Sequence, residues 1–263
     1  MDRRSFLIKT SSFLAGALFG LQPFLKAFAS ESPRQGLSHF PPRIALIIDD
    51  IGSSCWRARM FLDLDAPITY AILPRLPNTH ALASEIHKIG HEILLHQPME
   101  PYNPEIDPGP GALYVGDRAS RIFKVMEENI SDIPHAVGVN NHMGSRFTSS
   151  QHEIQTALQV VKDKQLFFID SLTTRRSAAY KTAKSLHVAA ASRNIFLDNQ
   201  PDERAILNQL LRLKRYALMF GRGIGIGHPF PETARAIGRF LEDHQDAGID
   251  LVPVSRLVSP PAA

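Results

Sequence analysis

Ile44-Ala45-Leu46-Ile47-Ile48-Asp49-Asp50-Ile51-Gly52 is an apolar run that ends in two adjacent carboxylates and a glycine. Successive apolar residues without polar alternation mark a strand buried on both faces, the kind found in parallel sheets. Such a strand delivers its last residues to the C-terminal edge of the sheet, where α/β folds place ligands and chemistry. Asp49 and Asp50 therefore set the question for the rest of the chain: which other strands end in groups able to meet them.

Strand and helix patterns alternate from Arg43 onward. Further strands are predicted at Ile68–Leu73, Glu92–His96, Ala136–Asn140, Leu166–Asp170, Val188–Ala191 and Gly223–His228, with a last one over Ile249–Val254. Ser53 or Ser54 suits the N-cap of a helix through Leu62, and Gly90 is a helix-ending glycine. Ser150-Gln151-His152-Glu153 has the spacing of a capping box. The stretch Pro98–Asp117 is rich in proline and glycine; a loop that long inside a compact domain is usually a lid or a substrate wall. Seven or eight βα units with short connections favour a (β/α) barrel of parallel strands over an open doubly wound sheet.

On one rim of such a barrel the strand ends bring together Asp49, Asp50, His96, His142, Asp170 and His228. Three imidazoles and three carboxylates on one edge have the composition of a hydrolytic divalent-metal site. His80, His87, His152 and His244 fall on predicted helices and His39 on a linker, so they read as solvated residues. His91 and His96 are five apart, a spacing that faces one metal neither on a helix nor on a strand. The alternating glycines at 221–227 miss the dinucleotide-loop spacing, and no G-x-S-x-G elbow occurs.

Residues 1–29 contain Arg3, Arg4, Lys9 and Lys26 against Asp2, so the formal charge of +3 resides there and the remainder is neutral. That balance gives no case for nucleic acid. Arg3-Arg4-Ser5-Phe6-Leu7, an apolar stretch from Phe13 to Leu25 and Ala27-Phe28-Ala29 make a twin-arginine-type signal peptide with cleavage near Ala29. The apolar stretch is shorter than the roughly 20 residues of a membrane span. Export to the periplasm is the expectation, followed by a linker over residues 30–42 and one domain over 43–258. Cys55 is the single cysteine, which excludes an intrachain disulfide and reads as a structural thiol.

Ile47-Ile48-Asp49-Asp50-Ile51-Gly52, Leu94-Leu95-His96-Gln97-Pro98-Met99-Glu100, Asn140-Asn141-His142-Met143-Gly144-Ser145 and Ile226-Gly227-His228 together resemble the divergent branch of the polysaccharide deacetylase family. The resemblance spans Arg43 to Val258. It implies a distorted (β/α) barrel holding one divalent metal, usually zinc. It makes Asp49 the general base, Asp50 and His96 metal ligands, His228 the general acid and Asp170 the carboxylate that orients His228. The family's usual second histidine falls at Glu100, so the third ligand is His142, with Glu100 as the alternative. Arg146 is placed to clamp a sugar or to pair with Asp49, and Tyr102 and Tyr114 to stack on a sugar face. The implied activity is removal of acetyl groups from a cell-envelope polysaccharide. A non-catalytic glycan-binding or scaffold protein on the same fold is the alternative.

Overall fold

The computed structural model describes residues 41–243 and 248–258. The expected signal peptide, most of the linker, His39 and His244 lie outside them. The described strands are β1 (Arg43–Ile51), β2 (Thr69–Ile72), β3 (Glu92–Met99), β4 (Ala136–Met143), β5 (Phe167–Asp170), β6 (Ala190–Ser192), β7 (Ile195–Phe196), β8 (Arg222–Gly227) and β9 (Asp250–Leu251). They form one sheet in the order β6-β5-β4-β3-β2-β1-β8-β7, with β9 beside β1, and the ladders are parallel. The helices are α1 (Cys55–Leu62), α2 (Thr79–Ile89), α3 (Ala119–Asp132), α4 (Gln151–Asp163), α5 (Ala179–Ser185), α6 (Glu203–Phe220) and α7 (Pro231–Asp243). The architecture is a distorted (β/α) barrel.

The distortion has a definite place. Among the described residues no ladder joins β6 to β7, so the sheet is curled but open along one seam. The chain itself crosses that seam: the Arg193 N–H donates to Asp170 O of β5 at 3.0 Å, and the next residue, Asn194, donates to Ile224 O of β8 at 2.9 Å. The short β7 escaped the sequence patterns because two residues carry no periodicity.

Alternation along β1 divides the core in two. Ile44, Leu46 and Ile48 face outward into a large cluster with the helices, while Ala45 and Ile47 face into the barrel with Leu94, Ile169, Ile224 and Ile226. Each fully buried Ile or Leu contributes about 1.5–3 kcal/mol. At the base of the barrel Val254 and Leu257 plug the interior, fastened by bonds from the Val254 N–H to Thr69 Oγ1 and from the Ser255 N–H to Glu92 Oε2, both 3.1 Å. On β8 the glycines take the outward positions. A Cβ at Gly225 would stand 2.7 Å from Leu213 of α6, so glycine there lets this helix lie close against the sheet.

Local signals behaved unevenly. Ser54 caps α1, Gly90 ends α2 with φ of 99°, and Asp202 caps α6 through a bond from the Ala205 N–H. The capping box at Ser150 does not form. The Ser150 hydroxyl bonds to Glu153, whose other oxygen takes the Gly116 N–H, so Glu153 anchors the proline-rich loop instead of the helix start. Further bonds fasten that loop to the barrel. Buried Gln97 and Asn129 both donate to Gly111 O, and the Val115 N–H donates to Glu100.

Candidate metal centre

Strand parity explains which side chains meet. Asp49 continues the inward row of Ala45 and Ile47, and His96 that of Leu94. Asn140 and His142 share the inward row of β4, and Ser171 and His228 extend those of β5 and β8 beyond Ile169 and Ile226. Asp50 has the wrong parity. Its backbone turns into the left-handed region, φ 58°, where the β1–β2 register shifts, and this swings the second carboxylate back over the barrel mouth. A non-glycine residue there is strained, and such strain concentrates at functional sites. Met143 (φ 50°) and Leu172 (φ 49°) turn the chain in the same way at the ends of β4 and β5.

These groups line a cavity of about 580 Å³, with Asp49, Asp50, His96, His142, Arg193 and His228 on its walls. A larger cavity, about 630 Å³, lies at the opposite end of the barrel between the α1–β2 loop, α7 and β9, and it holds no histidine.

At the mouth three donor atoms form a triangle. His142 Nδ1 lies 2.9 Å from Asp50 Oδ1, His96 Nε2 lies 3.2 Å from the same oxygen, and the two imidazole nitrogens are 3.1 Å apart. Edges of about 3 Å are short enough for the three atoms to share one Zn²⁺-sized ion at roughly 2.0–2.2 Å. The protonation pattern agrees. Asn140 donates its Nδ2 to Asp49 Oδ1 at 2.8 Å, because an ionised carboxylate can only accept. Its oxygen therefore faces His96 Nδ1, also at 2.8 Å, so that nitrogen carries the proton and Nε2 presents a lone pair. A lone pair on Nε2 cannot serve Asp50, and Asp50 Oδ1 is buried with no hydrogen bond. Two imidazole nitrogens converging on an orphaned carboxylate oxygen fit a divalent cation. Asp50, His96 and His142 are the one group of three or more such residues, among those described, whose donor atoms cluster for a metal.

Asp49 stands behind the triangle, with Oδ2 3.6 Å from His96 Nε2. Burial pushes its carboxyl above the usual range, against the pull of His96 and His228. Across the cavity His228 Nε2 is 3.9 Å from Asp50 Oδ2, and Phe196 packs edge-on against its ring. Burial alone would lower the His228 imidazole; the hydrogen bond to Asp198, with the charges of Asp49, Asp198 and Asp50, reverses this and pushes it up to about 9.

Asp198 is the residue the sequence patterns missed. Its Oδ1 lies 2.9 Å from His228 Nδ1, and its Oδ2 takes the His228 N–H and the Thr233 hydroxyl. It follows β7 by two residues, and with β7 invisible no strand end pointed to it. Asp170, expected in that role, does not touch His228. It sits one residue after inward-facing Ile169, so it points outward, where it accepts from the Leu172 and Tyr180 N–H groups and the Ser177 hydroxyl at the start of α5. Period-2 counting along β5 would have revealed the mismatch.

Glu100 is not at the triangle either. Its Oε1 pairs with Arg146 at 2.7 Å and its Oε2 accepts from the Val115 N–H, which also accounts for Arg146 without Asp49. Tyr102 and Tyr114 lie outside the cavity lining, and the Arg121 guanidinium covers the Tyr114 ring. Arg193, which no sequence motif singled out, reaches the cavity wall, donates to Ser171 O and Leu172 O, and stacks over Phe196.

Residues 46–258 match the family model described as divergent polysaccharide deacetylase. The chain is 32% identical to the uncharacterized protein YibQ of Escherichia coli K12 over 219 residues, covering 83% of this chain and 68% of that protein. It is 31% identical to an uncharacterized protein of Haemophilus influenzae, covering 83% and 79%. The crystal structure of the uncharacterized protein ATU2773 from Agrobacterium tumefaciens C58 superposes with a TM-score of 0.80 at 27% identity, covering 86% of this chain and 93% of that one. The catalytic domain of a peptidoglycan N-acetylglucosamine deacetylase from Eubacterium rectale shares the fold, with a TM-score of 0.52 at 12% identity over 85% and 93% of the two chains.

Proposed function

The chain belongs to the divergent polysaccharide deacetylase family, and from that premise we propose that it is an exported, zinc-dependent hydrolase removing acetyl groups from a cell-envelope polysaccharide. The observation that carries the reading is the triangle of Asp50, His96 and His142, flanked on one side by Asp49 and on the other by His228. Among the described residues no helix is long and apolar enough to cross a membrane.

Asp50, His96 and His142 would hold the metal. A divalent cation at this position supplies Lewis acidity toward an acetyl carbonyl and acidifies a bound water. Asn140 fixes the His96 ring so that Nε2 faces the site, the kind of outer support that ligating histidines depend on. Asp49, with Oδ1 committed to Asn140, keeps Oδ2 free to accept a proton from the attacking water. His228, held at Nδ1 by Asp198, directs Nε2 into the cavity and donates a proton to the departing nitrogen or oxygen. Arg193 and Phe196 form part of the cavity wall.

The test combines metal content with acetate release. Purified protein should carry about one zinc per chain, and chelation should abolish acetate release from N-acetylglucosamine oligomers or O-acetylated glycans. Asp50→Asn and His142→Ala should each lose the metal, while Asp49→Asn should keep it and lose activity. Full metal occupancy in the His142→Ala protein, or acetate release unaffected by chelation, would overturn the assignment.

A further inference from the structure

One flank of the cavity carries charge that the hydrolytic chemistry does not use. Two loops leave the barrel side by side there, after β4 and after β5, joined by a 2.8 Å bond from Thr173 Oγ1 to Met143 O; both residues line the cavity. The segments 144–150 and 171–178 contain Arg146, Arg175 and Arg176 and no Asp or Glu. All three arginines are exposed. Glu100 offsets Arg146, but Arg175 and Arg176 have no ion-pair partner among the described residues. Tyr102 reaches across from the proline-rich loop, and its N–H donates to Ser145 Oγ at 2.9 Å. Its phenol is held below its ordinary value, first by Ser149 and then by the Arg176 and Arg146 guanidiniums. Tyr102 stays 49% exposed.

Exposed, unpaired guanidiniums beside an exposed aromatic ring form a recognition unit for an acidic sugar. The planar forks bind carboxylate or phosphate oxygens in pairs, and the ring offers a flat apolar face to a pyranose. We propose that Arg175, Arg176 and Tyr102 form an anion-reading subsite next to the reaction pocket, so that the substrate polysaccharide bears a carboxylate or phosphate on a unit neighbouring the acetylated one. The proposal rests on the hydrolase reading for the position of that acetylated unit. A neutral glycan would gain nothing from the two unpaired guanidiniums.

Calorimetric binding to chelator-treated protein tests the subsite apart from turnover. The probes are chitotetraose, tetragalacturonate and a phosphorylated chitooligosaccharide. At low salt one of the two acidic probes should bind about tenfold tighter than chitotetraose, a size expected of paired charge-assisted bonds. The preferred probe identifies the anion. The preference should shrink at about 0.5 M salt, since exposed charges are screened over roughly 10 Å already at 0.1 M. The double variant R175A/R176A should lose it, and R175K/R176K, which keeps the charge, should recover part of it. Equal binding of all three probes would overturn the subsite, as would a preference that survives R175A/R176A. If the metal-loaded protein releases no acetate from any acetylated glycan while the preference persists, the hydrolase reading fails and the subsite stands as a binding site for acidic glycan.

Discussion

Replacing Asp198 by asparagine separates the site as built from the site as expected. Both Asp198 oxygens are occupied by donors: Oδ1 by His228 Nδ1 at 2.9 Å, and Oδ2 by the His228 N–H and by Thr233 Oγ1 at 2.8 Å. An asparagine must turn its NH₂ toward one of these sets. Facing Nδ1, it forces that nitrogen to accept, leaves the proton on Nε2 and removes the negative charge that supports an imidazolium. Facing the N–H and hydroxyl, it opposes donor to donor. Either arrangement disables proton delivery by His228, whose acid–base contribution is of order 10²–10⁴, or about 3–5 kcal/mol of barrier. Asp198→Asn should therefore lower kcat for acetate release about 10²- to 10⁴-fold with KM changed by less than about threefold, since Asp198 is buried beneath the imidazole. The ¹⁵N shifts of His228 should report the altered tautomer. Asp170→Asn is the matched control. It breaks acceptor contacts at the start of α5, so it should cost about 1–3 kcal/mol of stability and leave kcat nearly intact below the melting transition. A full-rate Asp198→Asn protein beside an inactive, folded Asp170→Asn protein would refute the reasoning.

Asn140→Ala removes the acceptor that sets the His96 tautomer and the donor to Asp49; metal affinity measured by chelator competition should fall about 10–100-fold. Tyr70 is fully buried, and its hydroxyl has no hydrogen-bond partner among the described residues. Tyr70→Phe should leave stability unchanged or raise it by about 1 kcal/mol in denaturant melts, because an unpaired buried hydroxyl costs on that order. Gly225→Val places its first side-chain carbon about where Leu213 packs, so it should lower the melting temperature by an amount equivalent to roughly 1–3 kcal/mol.

The order of strands and helices was legible because burial imposes it locally. Ile44–Ile48 reads as a core strand, Ser54 and Gly90 have cap chemistry, and the imidazoles at positions 96, 142 and 228 follow apolar runs. Those features need only the residue and its near neighbours. What the tertiary structure decided depends on direction and distance. Left-handed backbone at Asp50 brings two adjacent carboxylates to one side of a strand that would otherwise separate them. Outward parity removes Asp170 from the site, and a two-residue strand at the barrel seam brings Asp198 in. Glu100 and Arg146 satisfy each other 46 positions apart. A sequence reveals which groups stand at the ends of strands, but a side chain's aim is fixed by φ, by register and by the competing partners that folding supplies.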